Sequence, residues 1–471
     1  MASTKIITGP TFEEMLHPEK IDPEIRAQAL KMMEEDPLDP INLFNITWKD
    51  EHNEILYHVV PRELTGVDTN IVVLHSVHFP TRSHKVGATY SVLIEKELFG
   101  EVDPAVHTLV WPSTGNYGIG GAFVGCRMNF DSIVILPEEM SRERFEYIER
   151  LGARVIATPG SESNVKEIYD KSWELVRADP DVRVLNQFEV MGNYRFHYYV
   201  TGNTIAELVK QLHEQGIGNG WAAAYVSAMG SGGTIAAGDR LKQIWPEHKI
   251  VGLEPIQCRT LYENGYGAHR IEGIGDKHAT WIHNVLNMDA LMCIDDMESL
   301  YGLALLTDPV GMETLVKRFG VPQEDVESMS KFFGISSVCN VLGAIKTAKF
   351  YNFGPDDVIV TICTDAIDRY YSVMDWLEKT EGKMDEAMAT GRMMSTFLGQ
   401  KLDYVLEGSL DARTRWHNLK YYTWVEQQGK MVEELDAQRD PGWWREHQDL
   451  VQEIDRRIIA FRKEHHIHGE A

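Results

Sequence analysis

Lys85 lies in the stretch Phe79-Pro80-Thr81-Arg82-Ser83-His84-Lys85-Val86-Gly87-Ala88, ahead of three glycine-containing segments: Ser113-Thr114-Gly115-Asn116, Gly230-Ser231-Gly232-Gly233-Thr234 and Gly273-Ile274-Gly275. A lysine becomes a covalent catalyst when its amine is desolvated enough to lose its proton near neutral pH and condense with a carbonyl. Taken alone, Lys85 reads as one more solvated surface lysine. The segments behind it change that reading. A glycine-rich turn that opens a helix offers a phosphate converging N–H groups and the positive end of the helix dipole. Residues 230–234 fit, following a strand-like run at 223–227 and preceding a helical pattern from about Ile235, with Ser231 and Thr234 adding hydroxyls. The same residues also suit a plain strand-to-helix turn. Together, the amine and the turns could hold one phosphorylated aldehyde against one amine.

Ser113-Thr114-Gly115-Asn116 has the same setting, after an apolar run at 108–111 and before the small-residue helix pattern at 119–126. Two hydroxyls and a run of amides at a helix start bind a carboxylate, and the Asn116 amide can donate to a phenolate oxygen. Helix capping by Ser113 or Thr114 is the plainer alternative.

The elements that would position these residues alternate in kind. Strand-length apolar runs at 71–74, 108–111, 132–136, 155–157, 223–227, 250–254 and 358–362 are separated by helical patterns such as 143–151, 166–177, 204–214 and 235–244. That alternation predicts an α/β protein with parallel sheets covered by helices on both faces. Residues 1–65 are polar and carry Pro10, Pro18, Pro23, Pro37, Pro40 and Pro61, so they read as an arm without long helices or chemistry of its own. Beyond about Met374 the pattern turns to amphipathic helix without strand signals, over 384–406, 416–434 and 443–462. Trp416, Tyr421, Tyr422, Trp424, Trp443 and Trp444 imply that this tail buries a face, against its own body or a partner chain.

With 471 residues, 43% of them apolar and 10% aromatic, the chain can bury a large core across two or three domains. A formal charge of −25 with no basic block argues against nucleic acid and anionic membrane surfaces as partners. Five scattered cysteines, Cys126, Cys258, Cys293, Cys339 and Cys363, form no Cys-x-x-Cys pair, so neither zinc nor a redox dithiol is expected and a reducing cytoplasm fits. No metal site is expected; His465, His466 and His468 read as a polar tail, and Glu138 and Glu139 as helix-capping residues. No apolar run is long enough to span a bilayer, and the start of the chain does not read as an export signal.

The order of motifs resembles the fold type II pyridoxal-phosphate enzymes of the tryptophan synthase β superfamily, most closely the cysteine synthase and cystathionine β-synthase branch. Besides the segments above, the resemblance is carried by Leu136-Pro137-Glu138-Glu139-Met140-Ser141, Leu151-Gly152-Ala153, Thr158-Pro159-Gly160, Asn186-Gln187-Phe188, His197-Tyr198 and Thr201-Gly202. It continues through Val251-Gly252-Leu253-Glu254-Pro255, His269-Arg270-Ile271-Glu272-Gly273-Ile274-Gly275, Gly334-Ile335-Ser336-Ser337 and residues 364–371, and covers about residues 70–375. It implies two lobes, a large cofactor-binding domain at 66–94 and 201–375 and a small mobile domain at 95–200, while the arm at 1–65 and the helical C-terminal extension at 376–471 lie outside it.

The resemblance also implies roles. Lys85 would bind pyridoxal 5'-phosphate covalently and shuttle the substrate proton, with Asn116 at the ring oxygen and Gly230, Ser231, Gly232, Gly233 and Thr234 at the phosphate. Ser113, Thr114, Asn116 and Gln187 would take the substrate carboxylate, Gly273 and Gly275 would bring backbone near the amino acid, and Thr364 would face the pyridine nitrogen, with Asp365 as its rival. A hydroxyl there leaves the nitrogen largely unprotonated and the electron sink weaker, which favours β-elimination over a long-lived carbanion. Two departures stand out. Tyr117 replaces a small hydroxyl residue in the carboxylate loop, so the substrate pocket would be narrower or would use a phenol. His84 before the lysine is more similar to tryptophan synthase β, where such a histidine approaches the phosphate, although it could also simply fill space.

The implied activity is that of a lyase or transferase of amino-acid metabolism, acting on a small β-substituted amino acid. It would eliminate the substituent, or replace it with a nucleophile such as sulfide, by way of an aminoacrylate in a cytoplasmic homodimer. Three alternatives stand beside it: the cofactor-bearing β subunit of a two-component amino-acid thiolase or synthase, a serine/threonine dehydratase-like deaminase, and a catalytically inactive regulatory binding protein.

Overall fold

The computed structural model describes residues 7–113, 115–161 and 164–465. Among them eleven strands occur: β1 (Tyr57–Val60), β2 (Asn70–His75), β3 (Thr108–Pro112), β4 (Asp131–Pro137), β5 (Arg154–Thr158), β6 (Val182–Val184), β7 (Ala224–Ala228), β8 (Lys249–Pro255), β9 (Ala290–Ile294), β10 (Val358–Cys363) and β11 (Val405–Glu407). They form a seven-stranded sheet in the order β1-β2-β10-β7-β8-β9-β11 and a four-stranded sheet in the order β5-β4-β3-β6. All pairings are parallel except those of the two edge strands β1 and β11, which run antiparallel to their neighbours. The expected α/β, two-lobed architecture with a helical C-terminal extension is therefore present. Strands such as β7 and β10 are buried along their whole length, which is why they read as unbroken apolar runs rather than alternating ones.

Two helices that pack against each other carry Lys85 and Asn116. Helix Lys85–Leu98 follows β2 and helix Asn116–Arg127 follows β3. A Cβ at Gly120 would lie 3.0 Å from the Lys85 carbonyl oxygen and 2.8 Å from Thr89 Oγ1, so only glycine lets the two helices approach this closely.

The two ends of the chain depart from the sequence reading. The arm contains a 13-residue helix, Pro23–Glu35, because Pro23 sits in its first turn, where the missing N–H is harmless, and Asp22 caps it. The tail, expected to be purely helical, supplies β11 to the edge of the large sheet, where Val405 pairs with Met292. A three-residue edge strand buries too little to write a period-2 pattern. β1, β6 and β9 were likewise not anticipated.

The extension docks on its own body. Trp416 Nε1 donates to the Leu261 carbonyl (3.1 Å), Trp424 Nε1 to that of Ala279 (2.8 Å), and buried Lys420 donates to the carbonyls of Trp281 (3.0 Å) and His283 (2.7 Å) and to Gln438 Oε1 (2.6 Å). The last helix, Pro441–Glu464, returns to the start of the chain. There Asp455 accepts from the backbone N–H groups of Phe12 (2.7 Å) and Glu13 (3.1 Å), and Arg462 pairs with Glu14.

Candidate active site

Between the two sheets lies a cleft whose lining brings residues of both lobes together. It is lined by eleven of the residues singled out above: Lys85 and Thr364 on one wall, Ser113, Asn116, Tyr117 and Gln187 on another, and Gly230, Ser231, Gly232, Thr234 and Gly273 on a third. Gly233 and Gly275 stand behind it. A Cβ at Gly233 would collide with Asn193, and one at Gly275 with His269 Nε2 and Pro255 (both 2.6 Å), so both glycines let the walls pack. Thr114, His466 and His468 lie outside the described residues.

Lys85 opens its helix at the bottom of the cleft, 8 % exposed, with Nζ 3.3 Å from Ser231 Oγ. Burial lowers its amine to about 8, against the opposing pull of Asp276. His84 precedes it, fully buried, stacked on Trp48 of the arm at 5.6 Å, with Nε2 3.4 Å from Thr364 Oγ1. Burial first, and then the Lys85 charge, push this imidazole well below its ordinary range, so it faces Thr364 as a neutral ring. The Thr364 backbone is fixed by Ser76 Oγ donating to its carbonyl (2.8 Å).

The turn at 230–234 follows β7 and leads to helix Ala236–Ile244. Gly232 adopts φ +76°, and a Cβ there would meet His283 Cβ at 2.6 Å, while one at Gly230 would meet the Gly273 carbonyl at 2.7 Å. Ser231 Oγ is the hub of the turn, accepting from Lys85, from Asn193 Nδ2 (2.9 Å) and from the Gly233 N–H (3.3 Å). Beside it, Gly273 (φ +91°) faces open space.

Asn116 is tied into a buried network that the sequence did not reveal. Its Nδ2 donates to Asp365 Oδ2 (2.6 Å) and its Oδ1 accepts from Arg144 Nη1 (2.9 Å). Arg144, fully buried, also donates to Glu272 (2.7 Å) and to the Tyr370 hydroxyl (2.8 Å), which in turn donates to Asp365 (2.7 Å). Asp365 is thus spoken for by Asn116, Arg144 and Tyr370, whereas its neighbour Thr364 faces the cleft. The Tyr117 hydroxyl donates to the Leu185 carbonyl at 3.1 Å, which engages the phenol within the small-sheet lobe. Glu272 stood in a quoted motif without a role. Arg144, Asn193, Asp276 and Trp48 carried no signal, because single polar residues inside helices or loops look alike until the fold gathers them.

A family model described as "Pyridoxal-phosphate dependent enzyme" matches residues 62–365. The chain belongs to that family. Curated relatives include a probable cysteine synthase of Bacillus subtilis (strain 168), 29% identical over 298 residues, 63% of this chain and 86% of that protein. Cystathionine beta-synthase of Saccharomyces cerevisiae is 25% identical over 396 residues, 82% of this chain and 73% of that one. Among solved structures, a hydrogen sulfide-producing enzyme from Fusobacterium nucleatum superposes with a TM-score of 0.55 at 25% identity, covering 72% of this chain and 91% of that one. A cysteine synthase from Entamoeba histolytica gives 0.58 at 22%, over 73% and 92%.

The protein is a pyridoxal-phosphate dependent enzyme, and its residues fit that cofactor. The cleft offers a desolvated amine of lowered basicity, a cradle where side chains at 230, 232 and 233 would collide with their surroundings, and a hydroxyl from Thr364. Among the described residues no cluster of side chains could hold a metal ion, and no helix is long and apolar enough to cross a membrane.

Proposed function

We propose that this enzyme removes the β-substituent of a small amino acid and, where a nucleophile is at hand, replaces it. The observation that carries the reading is Lys85: a buried amine, near neutrality at about pH 8, set across from a glycine turn. Pyridoxal phosphate, when bound there, supplies the electron sink for charge developing at Cα. Lys85 moves the proton at Cα, and Ser113, Gln187 and the amides of the turn before helix Asn116–Arg127 hold the carboxylate. Thr364, held by neutral His84, faces the ring nitrogen and limits the strength of the sink. Residues 230–234 bind the phosphate, with Asn193 fixing Ser231. The relatives named as cysteine synthases and a cystathionine beta-synthase support this class of chemistry.

We assign residues 66–94 and 201–375 to the body and 95–200 to a lobe that closes when a carboxylate binds and excludes water. A homodimer in the cytoplasm completes the reading. The test is release of pyruvate and ammonia from O-acetylserine, serine, cysteine, threonine and cysteate, with and without sulfide. Turnover of O-acetylserine or cysteine is expected, turnover of serine or threonine alone would point to a deaminase, and no turnover of any of them defeats the proposal.

A second reading, the β subunit of a two-component amino-acid thiolase or synthase, is favoured by the large apolar side chains that the extension leaves in solvent. Tyr422 and Met431 are exposed there, and Trp173 reaches the same segment through Gln428. Turnover that requires a copurifying subunit would decide for it.

A further inference from the structure

Beside helix Ala236–Ile244, to which the glycine turn at 230–234 leads, lies a hollow of ≈ 360 Å³, within the range of small-molecule sites. The body lines one part of it, and Gln438, Arg439, Trp444 and Arg445 of the extension line the rest, beyond the residues 62–365 that the family model matches. Hydrogen bonds within the lining determine what is left for a ligand. Buried Asp239 accepts from the Tyr194 hydroxyl (2.7 Å), Asn284 Nδ2 (3.0 Å) and Asn287 Nδ2 (2.6 Å), so its oxygens are engaged by the body. An amide that gives its nitrogen to a carboxylate keeps its oxygen, and neither Asn284 Oδ1 nor Asn287 Oδ1 accepts from a described residue. Lys242 engages its ammonium with Asp289 (2.7 and 2.8 Å) and the Asn287 carbonyl (3.0 Å), which leaves it no hydrogen to give. In the extension, Arg439 commits Nε to Asp436 (3.2 Å) and Nη2 to Asn418 (2.7 Å) but not Nη1, and Arg445 has no partner among the described residues. Leu286, Pro441 and buried Trp444 add apolar lining. The hollow thus offers two amide oxygens from the body and two guanidinium groups from the extension.

We propose that this hollow is an effector site, apart from the catalytic cleft, for a zwitterionic α-amino acid with an apolar side chain. With the Asp239 carboxylate behind them, the Asn284 and Asn287 oxygens favour an ammonium, while Arg439 and Arg445 give a carboxylate forked donors. The side chain lies along Trp444. Both parts of the lining lead to the turn at 230–234. Asn284 follows His283, which lies against Gly232, and Gln438 accepts from Lys420 (2.6 Å), which also holds the His283 carbonyl (2.7 Å). A ligand that ties the extension to the body steadies that turn and slows loss of the cofactor; this regulatory half rests on the proposed binding of phosphate by residues 230–234.

The experiment titrates the holoenzyme calorimetrically with leucine, methionine and phenylalanine, while the cofactor's absorbance counts the molecules bound in the cleft. At least one of the three should occupy a site that leaves the absorbance unchanged. Its amino alcohol, without the carboxylate, and its deaminated acid, without the ammonium, should bind there roughly tenfold more weakly or worse, as the loss of a charge-assisted hydrogen bond demands. Arg445→Glu, at an exposed position, should weaken this binding by a similar roughly tenfold factor and leave the absorbance response of the cleft intact, with Arg439→Gln acting in the same direction. Release of cofactor on dilution should slow by about twofold or more when the site is filled, and not in Arg445→Glu. No binding outside the cleft, equal binding of the singly charged analogues, binding indifferent to Arg445→Glu, or release unchanged by a filled site would overturn the inference. Retention of the cofactor by Ser231→Ala as firm as in the unaltered protein is a separate result, which defeats the phosphate assignment rather than the amino-acid site.

Discussion

At Lys85 a side chain that is ordinarily charged to beyond pH 10 has been brought within reach of neutrality by burial alone, with Asp276 limiting the shift. The unprotonated amine is the form that condenses with an aldehyde, and its share rises as pH climbs toward the lowered value. Uptake of pyridoxal phosphate by cofactor-free protein should therefore accelerate from pH 6 upward and level off above about pH 8, followed by stopped-flow absorbance. Continued acceleration toward pH 10 would show an exposed amine. The sequence made Lys85 and the glycine turns legible because steric demand leaves few substitutes for an amine or a missing Cβ. Asp276 and Arg144 were illegible for the opposite reason: an acid or a guanidinium is ordinary anywhere on a surface, and only burial gives it meaning.

Among the elements, the buried network centred on Arg144 joins helices of the small-sheet lobe to loops of the large-sheet lobe. Arg144 and Asn116 come from one side, and Glu272, Asp365 and Tyr370 from the other. Two carboxylates share one guanidinium, so losing the cation leaves both buried without compensation. Arg144→Met should cost about 3–5 kcal/mol, measured by urea unfolding in one cofactor state. A loss below about 1 kcal/mol would place the network in solvent. Apolar runs announced the inner strands β2, β3, β4, β7, β8 and β10, since burial on both faces demands them, but not the equally buried β9. β1, β6 and β11 escaped because strands of three or four residues at or near an edge need only partial burial, and their pairing is set by the neighbours already in place.

On the scale of the molecule, the extension braces the glycine turn at 230–234. Lys420 holds the carbonyls of Trp281 and His283, and His283 lies against Gly232 of that turn. Lys420→Met would leave those acceptors unsatisfied and loosen the turn. Retention of pyridoxal phosphate on dialysis should weaken by about tenfold, in line with the ~1–3 kcal/mol cost of orphaned buried acceptors, and absorbance of the retained cofactor measures it. The tail's aromatic pattern had announced a buried face without saying whose surface it met, because amphipathicity records that a partner exists and not which one.

Phe12 and Asp455 are joined by a hydrogen bond spanning 443 positions, and the Tyr90 hydroxyl, on the helix that Lys85 begins, donates to Pro10 and accepts from Gly9. A newly made chain cannot lock that corner until the helix Pro441–Glu464 has left the ribosome. Such distant pairing makes assembly slow and leaves half-built species exposed to aggregation. The contacts that close this corner against the helix begun by Lys85 are accordingly completed after that helix has been made rather than along with it.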